Sequence, residues 1–563
     1  MAAVDTELVT EKGNDRLPLI LFAIAVAVQL VVSFVLPIMM AEDSPGYLHL
    51  AIGGLFNPDV APQRTLGYPV LLYLFGVDWT DSIVPAAIGQ QIMACLMPVL
   101  VYLTCRGANR PLAFLAGLAT IAYLYFHAVA VIMMTDLAFP FFVVFVCYAV
   151  VAYNAKPDWF RLLAVVFLLF FATEIRPNGA GGYVAMAAIV GLAALWDLWK
   201  KAGYRRFAHL ALVLVVGLFH VVGKSHVSER TSTHLTPFFI WHWAYDDELW
   251  RRAAMDALAI PAPRYLAPFV ALENGERTRE LFDAFKEAVA MNPDLGRRFL
   301  SEIDERGAVL DIKSQYRDIA LTDTDAIMQI ALTDRNTHNG ANMVMEMWKL
   351  LGKDRTTRLL NGALLETFIA RPDVAWLRLK FVADRIQNGI FYSRMMVGQW
   401  VHVPTPDTPG KMAPFLHLPK SFLAEWVYGM DLRTGLGKRH YVTSQPLNLN
   451  DALHVLKEKE NYLAFGNYWL GLSTTHIHKT VIFLTILTLI FVPWSANKGA
   501  WLFAFSMGAI FPLLALYLSN LDFRNLMAGF PMMAIALVFA FEGMFRLATI
   551  GLVRARRPGP KIA

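Results

Sequence analysis

Ten stretches of predominantly apolar residues, most close to the ~20 that a helix needs to cross a bilayer, constrain this chain more than any other feature. They run near 18–41, 83–105, 111–134, 137–154, 160–175, 179–198, 207–223, 479–495, 499–518 and 525–548. Composition agrees: 56% of the residues are apolar, only 17% are charged, and the mean hydropathy is +0.44. A soluble domain carries roughly 25% charged residues, so the excess apolar surface must face something other than water. The expected fold class is an all-α polytopic membrane protein with about ten transmembrane helices. A cytosolic enzyme, a disordered regulator and a disulfide-built secreted scaffold are excluded. The first stretch follows a polar tail with Lys12 and Arg16. It is too long for a signal-peptide core and no small-residue cleavage site follows, so it reads as an uncleaved span.

Orientation follows from Lys and Arg in the short connections, which favour the cytoplasmic side. With the N-terminus inside, the inner segments hold Lys12, Arg16, Arg106, Arg110, Lys156, Arg161, Lys200, Lys201, Arg205, Arg206, Lys498, Arg546, Arg554, Arg556, Arg557 and Lys561. The short outer segments hold Arg64, Arg176 and Arg524. Sixteen against three places both termini in the cytoplasm. The net charge of +5 is small for 563 residues and gives no argument for nucleic acid. No Asn-x-Ser/Thr sequon occurs, which fits a bacterial inner (plasma) membrane.

The pattern divides the chain into a seven-span module over 1–223, an extracytoplasmic hydrophilic insertion over 224–478, and three spans with a basic tail over 479–563. The insertion reads as mainly helical, because DDELWRRAAMDALA, RTRELFDAFKEAVA, RRFLSEIDERGAVL and MVMEMWKLLGK carry apolar residues at i, i+3 and i+4. The Pro-rich 400–420 reads as loop. In the first outer loop, pieces around 46–56 and 67–76 are amphipathic but too short to cross, and such pieces lie in the interface plane.

Most outer polar residues are solvated connections. Four places hold ionisable groups that a bland loop would not. Glu42 and Asp43 stand at the outer end of the first span, before Ser-Pro-Gly-Tyr; an N-cap is the plain alternative. Asp136 enters the fourth span, where it could likewise cap, with Thr135 as competitor. Two carboxylates at one depth point to general-base work or a divalent cation. Glu174 and Arg176 end the fifth span, where charges mark a site or pair to close the helix. Arg524 opens the last span, and His476, His478 and Lys479 open the eighth; cationic groups gathered at a membrane entry suit an anion, above all phosphate.

Other motifs carry less. Asp323-Thr324-Asp325 spells the DxD of nucleotide-sugar enzymes, but in an outer helical region with no doubly wound sheet. His476-x-His478 has no third zinc ligand nearby. Cys95, Cys105 and Cys147 lie in or beside apolar segments and read as small buried hydrophobes.

These features together resemble the glycosyltransferase C superfamily, polytopic enzymes that use polyprenyl-phosphate-linked sugars. Asp43 with the following Tyr47 and amphipathic piece, and the Gly-Tyr-Pro at 67–69, are similar to the acidic first-loop motif of that superfamily. Asp136 matches its acidic residue at the second outer loop, though relatives often carry Glu or an Asp-Glu pair there. Arg524 matches a basic residue opening a late span. ALLETFIARPDVAWLRLK at 363–380 looks like the stretch before the later spans in lipid A aminoarabinose transferases and protein O-mannosyltransferases. The resemblance covers 1–225 well and 363–548 loosely, and 226–362 match nothing in it.

The resemblance implies inverting transfer of a sugar (a hexosyl or pentosyl group) from a polyprenyl-phosphate donor to a glycan, glycolipid or protein acceptor at the outer face. Asp43 and Asp136 would be catalytic, with Glu42 and Glu174 orienting the acceptor or a cation. Arg524, Lys479, His476, His478 and Arg176 would bind the donor phosphate. Relatives with and without a divalent ion exist, so Mg2+ or Mn2+ on Asp43 and Asp136 is one expectation. Rival classes are a transporter or flippase of a lipid-linked or anionic substrate, a glycan ligase using a polyprenyl-diphosphate oligosaccharide, and a scaffold protein.

Overall fold

The computed structural model describes residues 15–35, 44–55, 64–80, 84–201, 203–220, 248–260, 275–297, 344, 346–370, 376, 379, 403–404, 412–413, 477–518 and 524–556. Contacts divide the chain into two compact units. One comprises Met1–Thr231, Ile390–Pro512 and Arg524–Ala563; the other comprises Ser232–Gly389 and Leu513–Phe523. The described residues are overwhelmingly helical, and the one ladder among them pairs Val403–Pro404 with Met412–Ala413.

The first unit opens with α1 (Leu17–Val35), α2 (Ser44–His49), α3 (Gly67–Leu74), α4 (Val77–Thr80), α5 (Val84–Cys105) and α6 (Arg110–Ala122). It continues through α7 (Tyr125–Val129), α8 (Thr135–Ala155), α9 (Trp159–Ile175), α10 (Ala180–Trp199) and α11 (Arg205–Leu218). Every apolar segment of the sequence contains helix. Among the described residues six helices are long and apolar enough to cross a membrane: Val84–Cys105, Thr135–Ala155, Pro177–Trp199, Ile477–Trp494, Lys498–Ala515 and Phe530–Ile550. Leu17–Ser33 and Arg110–Ala122 are shorter apolar helices, and α9 and α11 run for 17 and 14 residues. The full-length helices among the described residues therefore number fewer than the ten segments expected.

Local chemistry sets the boundaries. Asn109 caps α6 by accepting from the Leu112 N–H at 3.0 Å, and Asp158 caps α9 by accepting from the Arg161 N–H at 2.9 Å. Helix α5 packs against α1, α6 and α8, α8 packs against α9, and α10 against α11. Between them lie the buried rings of Tyr102 on α5, Tyr68 on α3, Tyr123 after α6, and Tyr125 and Phe126 on α7, while Phe160, Phe167 and Leu192 stay exposed on the outside. An apolar helix face left exposed this way suits acyl chains.

The segment 111–134 reads in sequence as one continuous span, and the structure breaks it. Helix α6 ends at Ala122, Tyr123 leaves helical geometry at φ −79 and ψ 78, and the short α7 follows. A break at membrane depth is tolerated only where other groups satisfy the freed backbone. Two buried glutamines do so. Gln29 of α1 donates to the His127 carbonyl at 3.3 Å. Gln90 of α5 donates to the carbonyls of Ala130 and Ile132 at 3.3 and 2.9 Å. The break lets the chain turn back and start α8 at Thr135.

The second unit packs α12 (Glu248–Ala257), α13 (Glu276–Met291) and α14 (Lys353–Ala370) around Ala253, Leu281, Phe285, Val289, Met347 and Leu360. Glu366 of α14 caps α13, accepting from the N–H groups of Arg277 and Thr278 at 3.1 and 2.7 Å and from the Thr278 hydroxyl at 2.8 Å. Arg355 meets Glu287 in two bonds of 3.0 and 2.6 Å further along α13. These helices match the helical reading of DDELWRRAAMDALA, RTRELFDAFKEAVA and MVMEMWKLLGK; all of RRFLSEIDERGAVL after Arg297 lies outside the described residues.

After the second unit's helices, the first unit resumes with α15 (Ile477–Trp494) and α16 (Lys498–Phe505); α17 (Phe511–Leu518) passes from the first unit into the second at Leu513, and α18 (Arg524–Ala528) and α19 (Phe530–Arg556) complete the first unit. Helix α19 packs against α6, α15 and α16, and α18 against α8. Glu542 of α19 is buried and accepts from Ser495 and Asn497 at 2.8 and 3.2 Å, with Arg546 at 2.9 Å. Tyr102 donates to Asp15 at 2.6 Å, and Tyr153 meets His209 at 2.8 Å. All three clusters lie at the bundle end that carries the basic connections.

Candidate active site

The opposite end of the bundle holds Asp136 and Glu174. Met134 occupies the cap position of α8 without a side-chain capping bond, so Asp136 lies inside the first turn rather than capping it. Its carboxylate is 1% exposed. Oδ1 accepts from the Arg176 guanidinium at 3.3 Å and from the Tyr125 hydroxyl at 3.4 Å. A charge buried this far is tolerable only with an opposite charge and good hydrogen bonds. The α8 N-terminus adds a favourable partial positive charge.

Arg176 caps the C-terminus of α9 in extended geometry, φ −148 and ψ 128. Two residues earlier, Glu174 turns the other way. Its Oε1 accepts from His220 Nε2 at 2.8 Å, and the other ring nitrogen of His220 lies 3.3 Å from the Tyr183 hydroxyl. The two charges that close α9 are thus tied to different helices.

The two short first-loop pieces form near where the sequence places them, and they are packed into protein. Tyr47 of α2 and Tyr68 of α3 are buried and meet edge to face at 5.2 Å. The Arg64 guanidinium lies over the Tyr47 ring at 5.0 Å. The Tyr68 hydroxyl donates to Gln90 at 2.7 Å. Burial pushes the Tyr68 phenol well above its ordinary value, and the neighbouring Tyr47 and Asp136 add to the shift, so it stays a neutral donor. Gly67 opens α3 directly against the α9 end; a Cβ there would stand 2.5 Å from the Glu174 carbonyl carbon and the Ile175 nitrogen. The Thr65 hydroxyl donates to the Ile175 carbonyl at 3.2 Å. The chain that leads on from Asp43 is therefore anchored on the turn that presents Arg176.

Of the residues singled out from sequence, Asp136, Glu174 and Arg176 come together here. His478 is buried at the start of α15, its Nδ1 2.9 Å from the Tyr123 hydroxyl and its ring against Phe530. Tyr123 in turn lies 6.1 Å from Tyr125, ring to ring, which links His478 to the Asp136 cluster. Lys479 sits half-buried in the first turn of α15. Arg524 begins α18, which packs on α8; its side chain lies outside the described residues. Glu42, Asp43 and His476 lie outside them too, as does the DxD at 323–325. Ser44 of α2 follows Asp43 directly.

Sequence reasoning noted Tyr68 within the Gly-Tyr-Pro at 67–69 but passed over Gln90, Tyr125 and His220. The glutamines carried a readable signal, since an amide inside an otherwise apolar span needs a partner. Tyr125 carried none, because aromatic residues are common in such spans. Among the described residues no group of three His, Cys, Asp or Glu side chains could hold a metal ion. Asp136, moreover, already faces a guanidinium. The described residues alone do not fit a divalent cation.

No family model matches the chain, and no curated protein matches it. Among solved structures it is similar to ArnT from Cupriavidus metallidurans, in a crystal structure bound to undecaprenyl phosphate. The two are 12% identical, with 96% of this chain and 81% of that chain covered, at a TM-score of 0.29. A TM-score that low carries no weight for the fold or chemistry of this chain.

Proposed function

We propose that this chain is a multi-pass membrane glycosyltransferase, in a bacterial inner membrane with both termini cytoplasmic. It moves a sugar, with inversion, from a polyprenyl-phosphate donor to a glycan, glycolipid or protein at the outer face. The observation that carries the reading is the buried Asp136–Arg176 pair at the bundle end away from the basic connections, with the second first-loop piece, α3, packed onto the same turn.

A lipid-linked donor holds its phosphate at headgroup depth and its sugar in the outer aqueous layer. The enzyme then needs a base for the acceptor hydroxyl and cations for the departing phosphate. In this reading the Asp43 carboxylate takes the acceptor proton and the acceptor oxygen attacks the anomeric carbon. The bond to the phosphate oxygen breaks with its electron pair staying on the phosphate. Preorganised cations aimed at charge that grows in the transition state lower the barrier. Arg176, oriented by Asp136, would supply one such cation, with Lys479 and Arg524 as others and His476 and His478 beside them. Glu42 would orient the acceptor. A divalent ion would need Asp43 beside Asp136, and no step above depends on one.

The test is a transfer assay. Purified protein in lipid receives a panel of polyprenyl-phosphate monosaccharides with membrane extract as acceptor source, and Asp43→Asn runs beside the wild type. Loss of a positioned base costs about 10²–10⁴ in rate. A near-normal Asp43→Asn enzyme would sink the base assignment. One observation favours the transporter reading: the broken helix over 110–134, since interrupted spans are common at transporter binding sites. Donor movement across vesicles without donor consumption would establish that class instead.

A further inference from the structure

We infer that Glu174 and His220 form a positioning pair that sets where the Arg176 guanidinium stands. The consequence for ligand binding rests on the function proposed above. This role differs from the direct acceptor contact that the sequence suggests for Glu174.

Three grips hold the turn at the end of α9. His220, at the end of α11, donates from Nε2 to Glu174 Oε1 at 2.8 Å, and Tyr183 of α10 sits 3.3 Å from the other ring nitrogen. Phe170 of α9 packs on the same ring at 4.7 Å. From the other side, Thr65 holds the Ile175 carbonyl and Gly67 lies against the Glu174–Ile175 peptide. The third grip is Arg176 on Asp136 at 3.3 Å. Glu174 and Arg176 are two residues apart, joined through Ile175 at the end of α9, so the backbone between them is short. A shift of Glu174 is transmitted along it with little slack. His220 is 6% exposed and Glu174 8%. The imidazole is one of the grips that fix this buried carboxylate, and loss of it would let the carboxylate shift and carry the turn with it.

The experiment measures undecaprenyl phosphate binding to the full chain in detergent. The variants are His220→Ala, His220→Gln, Arg176→Ala and the double variant His220→Ala/Arg176→Ala. His220→Ala should weaken binding about tenfold, a middling coupling for residues in contact. His220→Gln keeps an N–H for Glu174 and should restore most of the loss. The double variant should bind no more weakly than Arg176→Ala, because the pair acts only through that arginine. A His220→Ala loss carried in full into the Arg176→Ala background overturns the inference, as does normal binding by His220→Ala. Should the wild type not bind the probe, the proposed function fails, and the pair is judged by rates of thermal inactivation, compared on a logarithmic scale. Non-additive shifts for His220→Ala and Arg176→Ala then support the positioning link, and additive shifts overturn it.

Discussion

Replacing Gln90 by Leu tests how the broken helix is held. The Gln90 side chain is fully buried, and its amide makes three bonds: it accepts from Tyr68 at 2.7 Å and donates to Ile132 at 2.9 Å and to Ala130 at 3.3 Å. Leucine matches its size and removes all three. The Ile132 carbonyl keeps the Met134 N–H at 2.8 Å. The Tyr68 hydroxyl is left as a buried donor, at about 1–3 kcal/mol, and the longer Ala130 bond adds about 1 kcal/mol. Polar contacts inside membranes measure lower, near 0.6 kcal/mol on average, because the unfolded chain in lipid also finds partners. The working figure is therefore about 2 kcal/mol, a sizeable part of a total stability of about 5–15 kcal/mol. The assay is the rate of thermal inactivation in detergent, since unfolding of such chains is commonly irreversible. The decisive comparison adds Tyr68→Phe. In the wild type it deletes a good bond and destabilises; beside Gln90→Leu it removes the stranded hydroxyl and recovers about 1 kcal/mol. If Tyr68→Phe destabilises both backgrounds equally, the bond from Tyr68 to Gln90 is not what the break depends on.

Gly67→Ala should lower activity and thermal stability together, since the added carbon meets backbone atoms of Glu174 and Ile175 that cannot rotate away; overpacking of this kind costs about 1–3 kcal/mol. An alanine variant of unchanged stability would show that α3 does not lie on that turn. In the second unit, burial raises the Glu366 carboxyl but the N–H groups of Thr278 and Arg277 and the Thr278 hydroxyl outweigh it and hold it below its ordinary value. A carboxyl lower in the folded than in the unfolded state stabilises above its unfolded value and loses that contribution as pH falls through the folded one. Amide exchange over residues 275–291 should therefore quicken as the solution is taken below about pH 4.5, and Glu366→Ala should quicken it at neutral pH by the loss of a cap, about 0.5–2 kcal/mol. A pH-independent exchange rate, corrected for intrinsic chemistry, would contradict the capping role.

The site was legible in sequence where a residue type stood against its surroundings. A carboxylate at the mouth of an apolar span has few tolerable environments, so Asp136, Glu174 and Arg176 stood out. Their pairing did not, because separation along the chain says nothing about which helix lies opposite. From sequence, Glu174 and Arg176 read equally well as partners of each other. The structure gives one to His220, forty-six residues on, and the other to Asp136, forty residues back. The break after Ala122 was hidden for a different reason. Residues 123–134 are as apolar as a continuous span, and the groups that permit the break, Gln29 and Gln90, lie on other helices. Hydropathy records a segment's own side chains and is blind to donors supplied by its neighbours.

Some properties needed no tertiary structure. Apolar stretches near bilayer length dictate helices, because backbone N–H and C=O groups have no other partner in hydrocarbon. The i, i+3, i+4 pattern of the hydrophilic insertion likewise dictates helices with one buried face, as in α12 and α13. What required the folded chain was everything that depends on two distant residues meeting. That includes the guanidinium on Asp136, the imidazole on Glu174, the glutamines under the broken helix and the glycine that lets α3 rest on the end of α9. Helix formation is set within a few residues by local hydrogen bonding and the surrounding solvent. A buried charge, by contrast, is tolerated only through a partner brought from elsewhere in the chain, and only packing selects which one.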